Sequence, residues 1–238
     1  MGPSRAQDEL RPQPAARGDS SPRGNRTPAT GVKGPRADRY TMGPRSREST
    51  RLAGVFLARH GETDYNAQRR FQGRLPVPLN ATGRAQAHEL AIRAAPVGFV
   101  ELWCSPLARA RETAEIVGAE LGLRPHEDAR LVETDSGDWT DRTYTEIKAI
   151  DPVGFAAFVA AEPDFTLPGG ESFRDQTDRM LAALGEIARG PRPALVVTHG
   201  MSIRLVFAAL GQPLESVANA ALLDCSGAAS SSGRAPDF

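Results

Sequence analysis

The chain has 238 residues, and 29 Lys+Arg balance 29 Asp+Glu to a formal net charge of zero; this length suits one ordinary domain, or one domain with a tail. The balance is uneven, because residues 1–51 hold 11 Lys/Arg against 5 Asp/Glu and leave 18 against 24 for residues 52–238. No run approaches the ~18 apolar residues of a transmembrane helix, and no apolar signal-peptide run opens the chain, so a cytoplasmic protein without membrane contact is expected. The two cysteines, Cys104 and Cys225, lack a CxxC spacing, and two reduced thiols are preferred over one disulfide.

Residues 1–51 contain seven of the 19 prolines and no Phe, Ile or Trp. Such a segment cannot bury enough apolar surface to offset its conformational entropy, so a disordered basic leader is expected. Its charge is of a kind that attracts nucleic acid or acidic partners. An unstructured leader or a misassigned start, with Met42 as the alternative, is preferred, and no nucleic-acid partner is expected. A domain is expected over 52–225. Its first strand is Gly54–Ala58, a short apolar run entering a polar loop. A helix is expected over Thr82–Ala94, a strand over Val100–Cys104, and a helix over Leu107–Leu121 with Gly122 as its C-terminal cap. Two short helices follow, Thr143–Ile150 and Val153–Ala161, then a longer one over Ser172–Arg189 opened by a capping serine. Ala194–Thr198 is the clearest strand, Met201–Leu210 a helix, and Ala220–Asp224 a last strand. Alternating strands and helices predict an α/β fold, a three-layer α/β/α sandwich around a mostly parallel sheet. From Ser226 a Ser/Gly/Ala-rich tail, 226–238, reads as disordered.

Two of these strands end alike, in Leu57-Ala-Arg59-His60-Gly61 and Val196-Val-Thr198-His199-Gly200. Ligands of open α/β sheets bind at the carboxyl ends of the strands, so the two histidines face one pocket although 139 positions separate them. A lone His after a strand is usually structural; two in matching contexts, one beside Arg59, favour a site. A neutral imidazole is a good nucleophile toward phosphorus, and arginine suits bidentate contact with phosphate oxygens. Neighbouring guanidinium groups keep His60 unprotonated near neutral pH. Phosphoryl transfer needs mainly positioning and charge neutralisation, which fixed cations supply. With no P-loop, no DxD and no His/Asp cluster at metal spacing, no metal and no cofactor are expected.

The motif Arg59-His60-Gly61-Glu62-Thr63 with Asn66 resembles the signature of the histidine phosphatase superfamily, the phosphoglycerate mutase-like proteins. The resemblance continues in order through Phe71-Gln72-Gly73, Pro78-Leu79 with Gly83, Ser105-Pro-Leu-Ala-Arg109-Ala110 with Thr113-Ala114, Leu131-Val-Glu133 with Gly137 and Trp139, Pro168-Gly-Gly-Glu-Ser172, and Thr198-His199-Gly200. It covers about residues 54–224. The resemblance implies that His60 is phosphorylated on one ring nitrogen while a hydrogen bond on the other fixes the tautomer. It implies that Arg59 and Arg109 grip the phosphoryl oxygens, with Asn66, backbone near Gly73, and Gly200 assisting and Gln72 lining the pocket. His199 would donate to the same group in the transition state, and Glu133 would be the general acid, then the general base. Glu62 and Thr63 are read as supporting or structural, Arg111 as a surface charge, His88 as exposed, His126 as without a role, and Trp103 and Trp139 as packing residues.

Two positions depart from the family pattern. Pro76 stands where an Asp is usual, and Thr140-Asp141 stands where Glu-Gly is common after Trp139. Loss of Gly at 141 bears on the loop that carries Glu133, because Gly often serves a backbone angle other residues avoid. Mutases of the family carry a long insertion between the acid and the second histidine. Here Glu133 and His199 are 66 positions apart, which favours a phosphatase acting on small phosphate monoesters. A phosphoglycerate mutase-type transfer and a catalytically weak phospho-ligand binding module are the alternatives, and a homodimer stays open. Phe155, Phe158 and Phe165 either line the pocket, which would admit bulky or apolar esters, or belong to the core.

Overall fold

The computed structural model describes residues 51–226. The expected leader, 1–51, and tail, 226–238, thus fall almost wholly outside the described residues. The aliphatic runs form the middle of a five-stranded sheet. Its strands are β1 (Val55–Arg59), β2 (Glu101–Cys104), β3 (His126–Glu127), β4 (Ala194–Thr198) and β5 (Leu222–Asp224). The order is β3-β2-β4-β1-β5, parallel throughout except for β5. Every residue of β4 is buried, as a strand covered on both faces by helices must be.

Strand side chains alternate between faces, and the core divides accordingly. Leu57, Ala194 and Val196 join one cluster with Met180, Leu184, Ile203 and Val206. Ala58, Leu195 and Val197 join another with Leu90, Ala110, Ala114 and Val117. Two helices thus cover each face. On one side lie α2 (Ala81–Ala94) and α3 (Ala108–Leu121), which follow a short α1 (Asp64–Ala67). On the other lie α6 (Phe173–Ile187) and α7 (Gly200–Ala209). Between them in sequence, α4 (Tyr144–Ile150) and α5 (Pro152–Ala160) form a hairpin over a third cluster. The three-layer α/β/α sandwich expected from the sequence is the observed architecture.

The element ends follow local chemistry. Asn80 caps α2 through the Gly83 N–H, Ser172 caps α6 through the Asp175 N–H, and Thr143 with Glu146 forms a reciprocal capping box on α4. Gly122 ends α3 at φ 70°, a left-handed angle that suits glycine. The sequence reading missed β3 and α1: each is too short to carry a periodicity, and β3 exists only because it pairs with β2. The last strand starts at Leu222 rather than Ala220, whose φ of 55° breaks the extended run. Cys104 and Cys225 are both buried and unpaired, in clusters on opposite faces of the sheet.

One close approach locks the loop after β1 onto α2. A Cβ added at Gly83 would lie 2.0 Å from the Glu62 carbonyl oxygen, and one at Gly61 would lie 2.2 Å from the Gly83 carbonyl oxygen. Backbone cannot yield as a flexible side chain does, so Gly83→Ala is expected to destabilise the fold by about 1–3 kcal/mol. A thermal melt several degrees below wild type checks it; an unchanged midpoint would mean that the loop gives way freely.

Candidate active site

The β1–β4 register, Arg59 opposite Thr198, brings the two His-Gly turns together, and the His60 N–H donates to the Thr198 carbonyl at 3.0 Å. The β2–β4 register adds a third loop, since the Ser105 N–H donates to Val197 at 3.0 Å. Three parallel strands therefore deliver Arg59-His60, Thr198-His199 and Ser105 to one edge, at the carboxyl ends where α/β proteins bind ligands.

His60 is 2 % exposed. Its Nδ1 lies 2.6 Å from the Gly61 carbonyl oxygen, and its Nε2 lies 3.2 Å from Nε of Arg109. A carbonyl only accepts and a guanidinium only donates, so the proton sits on Nδ1 and the lone pair on Nε2. Burial, with Arg109 and Arg59 adding to it, holds the imidazole well below its ordinary 6.5. His199 is fully buried, its ring centroid 5.2 Å from that of His60. It too is held well below 6.5, by burial first and then by Arg109, His60 and Arg59.

Arg109 spends its other nitrogens on the chain, Nη1 on the Leu75 carbonyl at 3.1 Å and Nη2 on the Gly73 carbonyl at 2.8 Å. Burial lowers it to about 10, so it stays cationic at neutral pH. Arg59 donates through Nη1 to Val217 at 2.6 Å. Its Nε is buried without a partner, as is Nδ1 of His199. An unpaired buried polar group costs about 1–3 kcal/mol, and both of these belong to residues whose charge or ring acts on His60. At Gly200 a Cβ would lie 3.2 Å from Nε of Arg59, so glycine lets the N-terminus of α7 come close to the guanidinium.

Glu133 reaches this edge from the loop after Leu131. Its Oε1 accepts from Thr134 N–H (3.0 Å), Ser202 Oγ (3.1 Å), Ser202 N–H (3.2 Å) and Gln176 Nε2 (3.3 Å). Oε2 has the Met201 N–H at 3.3 Å. The carboxylate therefore caps α7, and its charge is among those acting on Arg59 and Arg109. Asn66 keeps its Oδ1 on the Thr63 N–H and the Asn219 amide. Gln72 is buried, with Oε1 on the Thr63 hydroxyl at 3.0 Å. Gly73 turns at φ 49° and offers its carbonyl to Arg109.

The other sequence-level residues fall into place. Arg111 pairs with Glu115 on the surface, and exposed His88 pairs with Glu120. Trp139 is core; Trp103 is partly buried against His126, ring centroids 5.0 Å apart. Phe155, Phe158 and Phe165, each partly buried, pack against the cluster of Phe71, Trp139 and Phe173. Asp141 adopts the left-handed φ of 66° that a glycine would take, and its carboxylate accepts from Tyr65 at 2.8 Å; Asp tolerates that region better than most residues. Pro76 is exposed beside the Leu75 carbonyl that holds Arg109. Sequence reasoning missed Gln176, Ser202, Asn219 and Tyr144. Burial raises the Tyr144 phenol, and its charged neighbours are Arg59, Glu133, Arg204 and Arg69. Gln176 alone left a trace, as a polar residue on the buried face of α6.

The two low imidazoles make stability depend on pH. An unfolded chain binds protons on both rings below its ordinary 6.5, and the folded chain refuses them. The stabilisation is complete above 6.5 and is lost as pH falls below it, at no more than about 1.4 kcal/mol per pH unit per ring. The melting midpoint is expected to fall from pH 7.5 to 5.5, and the slope to shrink in His60→Asn. A flat profile would contradict the neutral pair.

Residues 55–229 match the histidine phosphatase superfamily (branch 1). The chain is 38% identical over 176 residues to a protein named probable phosphoglycerate mutase GpmB from Klebsiella pneumoniae, covering 72% of this chain and 81% of that one. A Salmonella newport protein of the same name is 37% identical with the same coverage. Among solved structures, a mycobacterial glucosyl-3-phosphoglycerate phosphatase in complex with VO3 superposes with a TM-score of 0.65 at 32% identity, covering 71% of this chain and 88% of that one. A Thermus thermophilus protein superposes at 0.59 and 32%, covering 71% and 90%. The fold is that of the solved phosphatase it superposes on, and the chain belongs to the histidine phosphatase superfamily. It is an enzyme of the phosphatase class. No described helix is long and apolar enough to cross a membrane.

Proposed function

We propose that the chain hydrolyses small phosphate monoesters in two steps through a phosphohistidine at Nε2 of His60. One observation carries this reading: Nδ1 is tied to the Gly61 carbonyl while Nε2 turns its lone pair to Arg109, in a ring that stands 5.2 Å from that of His199 and feels the charge of Arg59. In the first step the Nε2 lone pair attacks phosphorus, the bond to the ester oxygen breaks, and that oxygen takes a proton from Glu133. In the second, the Glu133 carboxylate takes a proton from water, the hydroxide oxygen bonds to phosphorus, and the P–N bond breaks to release phosphate. Arg59 and Arg109 neutralise the oxygens and His199 donates a hydrogen bond to them throughout, with Asn66, Gln72, Gly73 and Gly200 shaping the seat. Donors crowd Oε1 of Glu133, so Oε2 is the oxygen that carries the proton.

Hydrolysis is preferred to mutase transfer because the arginines after Glu133 hold the chain together. Arg179 grips Glu171 at 2.7 Å and the carbonyls of Arg130 and Val132; Arg174 pairs with Asp164. The names of the curated relatives favour the mutase as second reading. The deciding assay is run in excess chelator with an aryl phosphate, glucosyl-3-phosphoglycerate and phosphoglycerate, then with a bisphosphoglycerate primer. Phosphate release without primer supports hydrolysis, primer-dependent isomerisation selects the mutase, and neither selects a phospho-ligand binding module.

A further inference from the structure

Ser105 opens the motif that supplies Arg109, yet neither reaction step uses it. It follows β2 directly and is fully buried. Its Oγ has two neighbours: the Leu107 N–H, which donates to it at 3.2 Å, and Nε2 of His199 at 2.8 Å. The Leu107 N–H brings its own proton. The hydroxyl proton therefore goes to the one neighbour able to accept it, which is Nε2, and a neutral imidazole that accepts at Nε2 carries its proton at Nδ1. That Nδ1 is the buried nitrogen without a partner, on the ring set 5.2 Å from His60. The opposite tautomer would turn a bare lone pair toward phosphoryl oxygens, which repels them, and would leave the hydroxyl proton without an acceptor.

We infer that Ser105 is a positioning residue whose hydroxyl fixes His199 as the neutral Nδ1–H tautomer and so aims a hydrogen-bond donor at the phosphoryl group. His199 then keeps its proton through both steps, and Glu133 is the group that exchanges one. This rests on the phosphatase reading, but its first test does not need activity. In full-length protein labelled with 15N-histidine, with the His199 signals assigned through His199→Gln, Nδ1 is expected to be pyrrole-like and Nε2 pyridine-like. The reverse pattern, or two protonated nitrogens, overturns the inference whatever the enzyme hydrolyses. Ser105→Ala is expected to mix the tautomers and lower kcat by about 10- to 100-fold, with KM within about twofold. Ser105→Thr, which keeps the hydroxyl, is expected to restore both. Wild-type tautomer and kcat in Ser105→Ala would overturn it; should that variant fail to fold, the wild-type spectrum decides.

Discussion

His60→Ala is expected to release no phosphate above background, a loss of roughly 10⁴-fold or more, as when other enzymes lose a nucleophile. The reason lies in how much of the site exists for one nitrogen. Gly61 holds Nδ1, Arg109 faces Nε2, and burial keeps the ring neutral. Methyl at this position leaves the cationic seat intact but removes the atom that attacks. The variant should therefore still bind vanadate or inorganic phosphate, while brief exposure to labelled substrate should leave no acid-labile, base-stable phosphoryl group on the protein. Binding without labelling is the informative pair. Turnover near wild type, or undiminished labelling, would move the nucleophile elsewhere. Removing a ring that resists protonation should also relieve part of the stability loss at pH 5.5, so the variant should not be less stable there than the wild type by more than it is at pH 7.5.

Glu133→Gln separates two classes of ester. The amide keeps an oxygen for the Thr134, Ser202 and Gln176 donors that crowd Oε1, so α7 stays capped, but it has no proton to give. Alkyl phosphates leave as poor alkoxides and need that proton, so their kcat/KM should fall by about 10²–10⁴-fold. An aryl phosphate leaves as a stable phenolate, and its kcat/KM should stay within roughly tenfold of wild type. The second step still lacks its base, so phosphoenzyme should build up with the aryl ester and appear as a burst followed by slow release. Equal losses for both esters, without a burst, would remove Glu133 from proton transfer and leave it as a cap for α7. The Gln176 contacts make a companion test: Gln176→Leu should reduce alkyl-ester turnover more than aryl-ester turnover, because its side chain bonds Glu133 and the Thr134 and Ser202 hydroxyls beside it.

Particular residues mark how far the sequence could be read. The alternation of strands and helices was legible because the β4 run is apolar throughout and buried on both faces, and several helix ends carry a local cap, as with Asn80, Ser172 and Gly122. The repeated His-Gly after two such runs pointed to one pocket, and the structure brings His60, His199, Arg59 and Arg109 together as expected. The fate of Phe155, Phe158 and Phe165 could not be decided, since an aromatic in a short helix looks the same over a pocket as over a core. Gln176, Ser202 and Asn219 were illegible for a different reason. Each acts through a partner 26 to 159 positions away, and no local pattern encodes such a distance.

What this sequence determines by itself is the set of elements and the chemistry of the residues at their ends, because hydrophobic period, caps and the reactivity of a side chain are local properties. What only the tertiary structure decided is which hydrogen-bond partners those residues meet. Nδ1 of His60 meets the next residue's carbonyl while Nε2 meets a guanidinium from α3, Nε2 of His199 meets a hydroxyl 94 positions away, and the Glu133 carboxylate meets donors from two helices. A hydrogen bond is set by distance and direction in space, and those exist only once β1, β2 and β4 have paired in register.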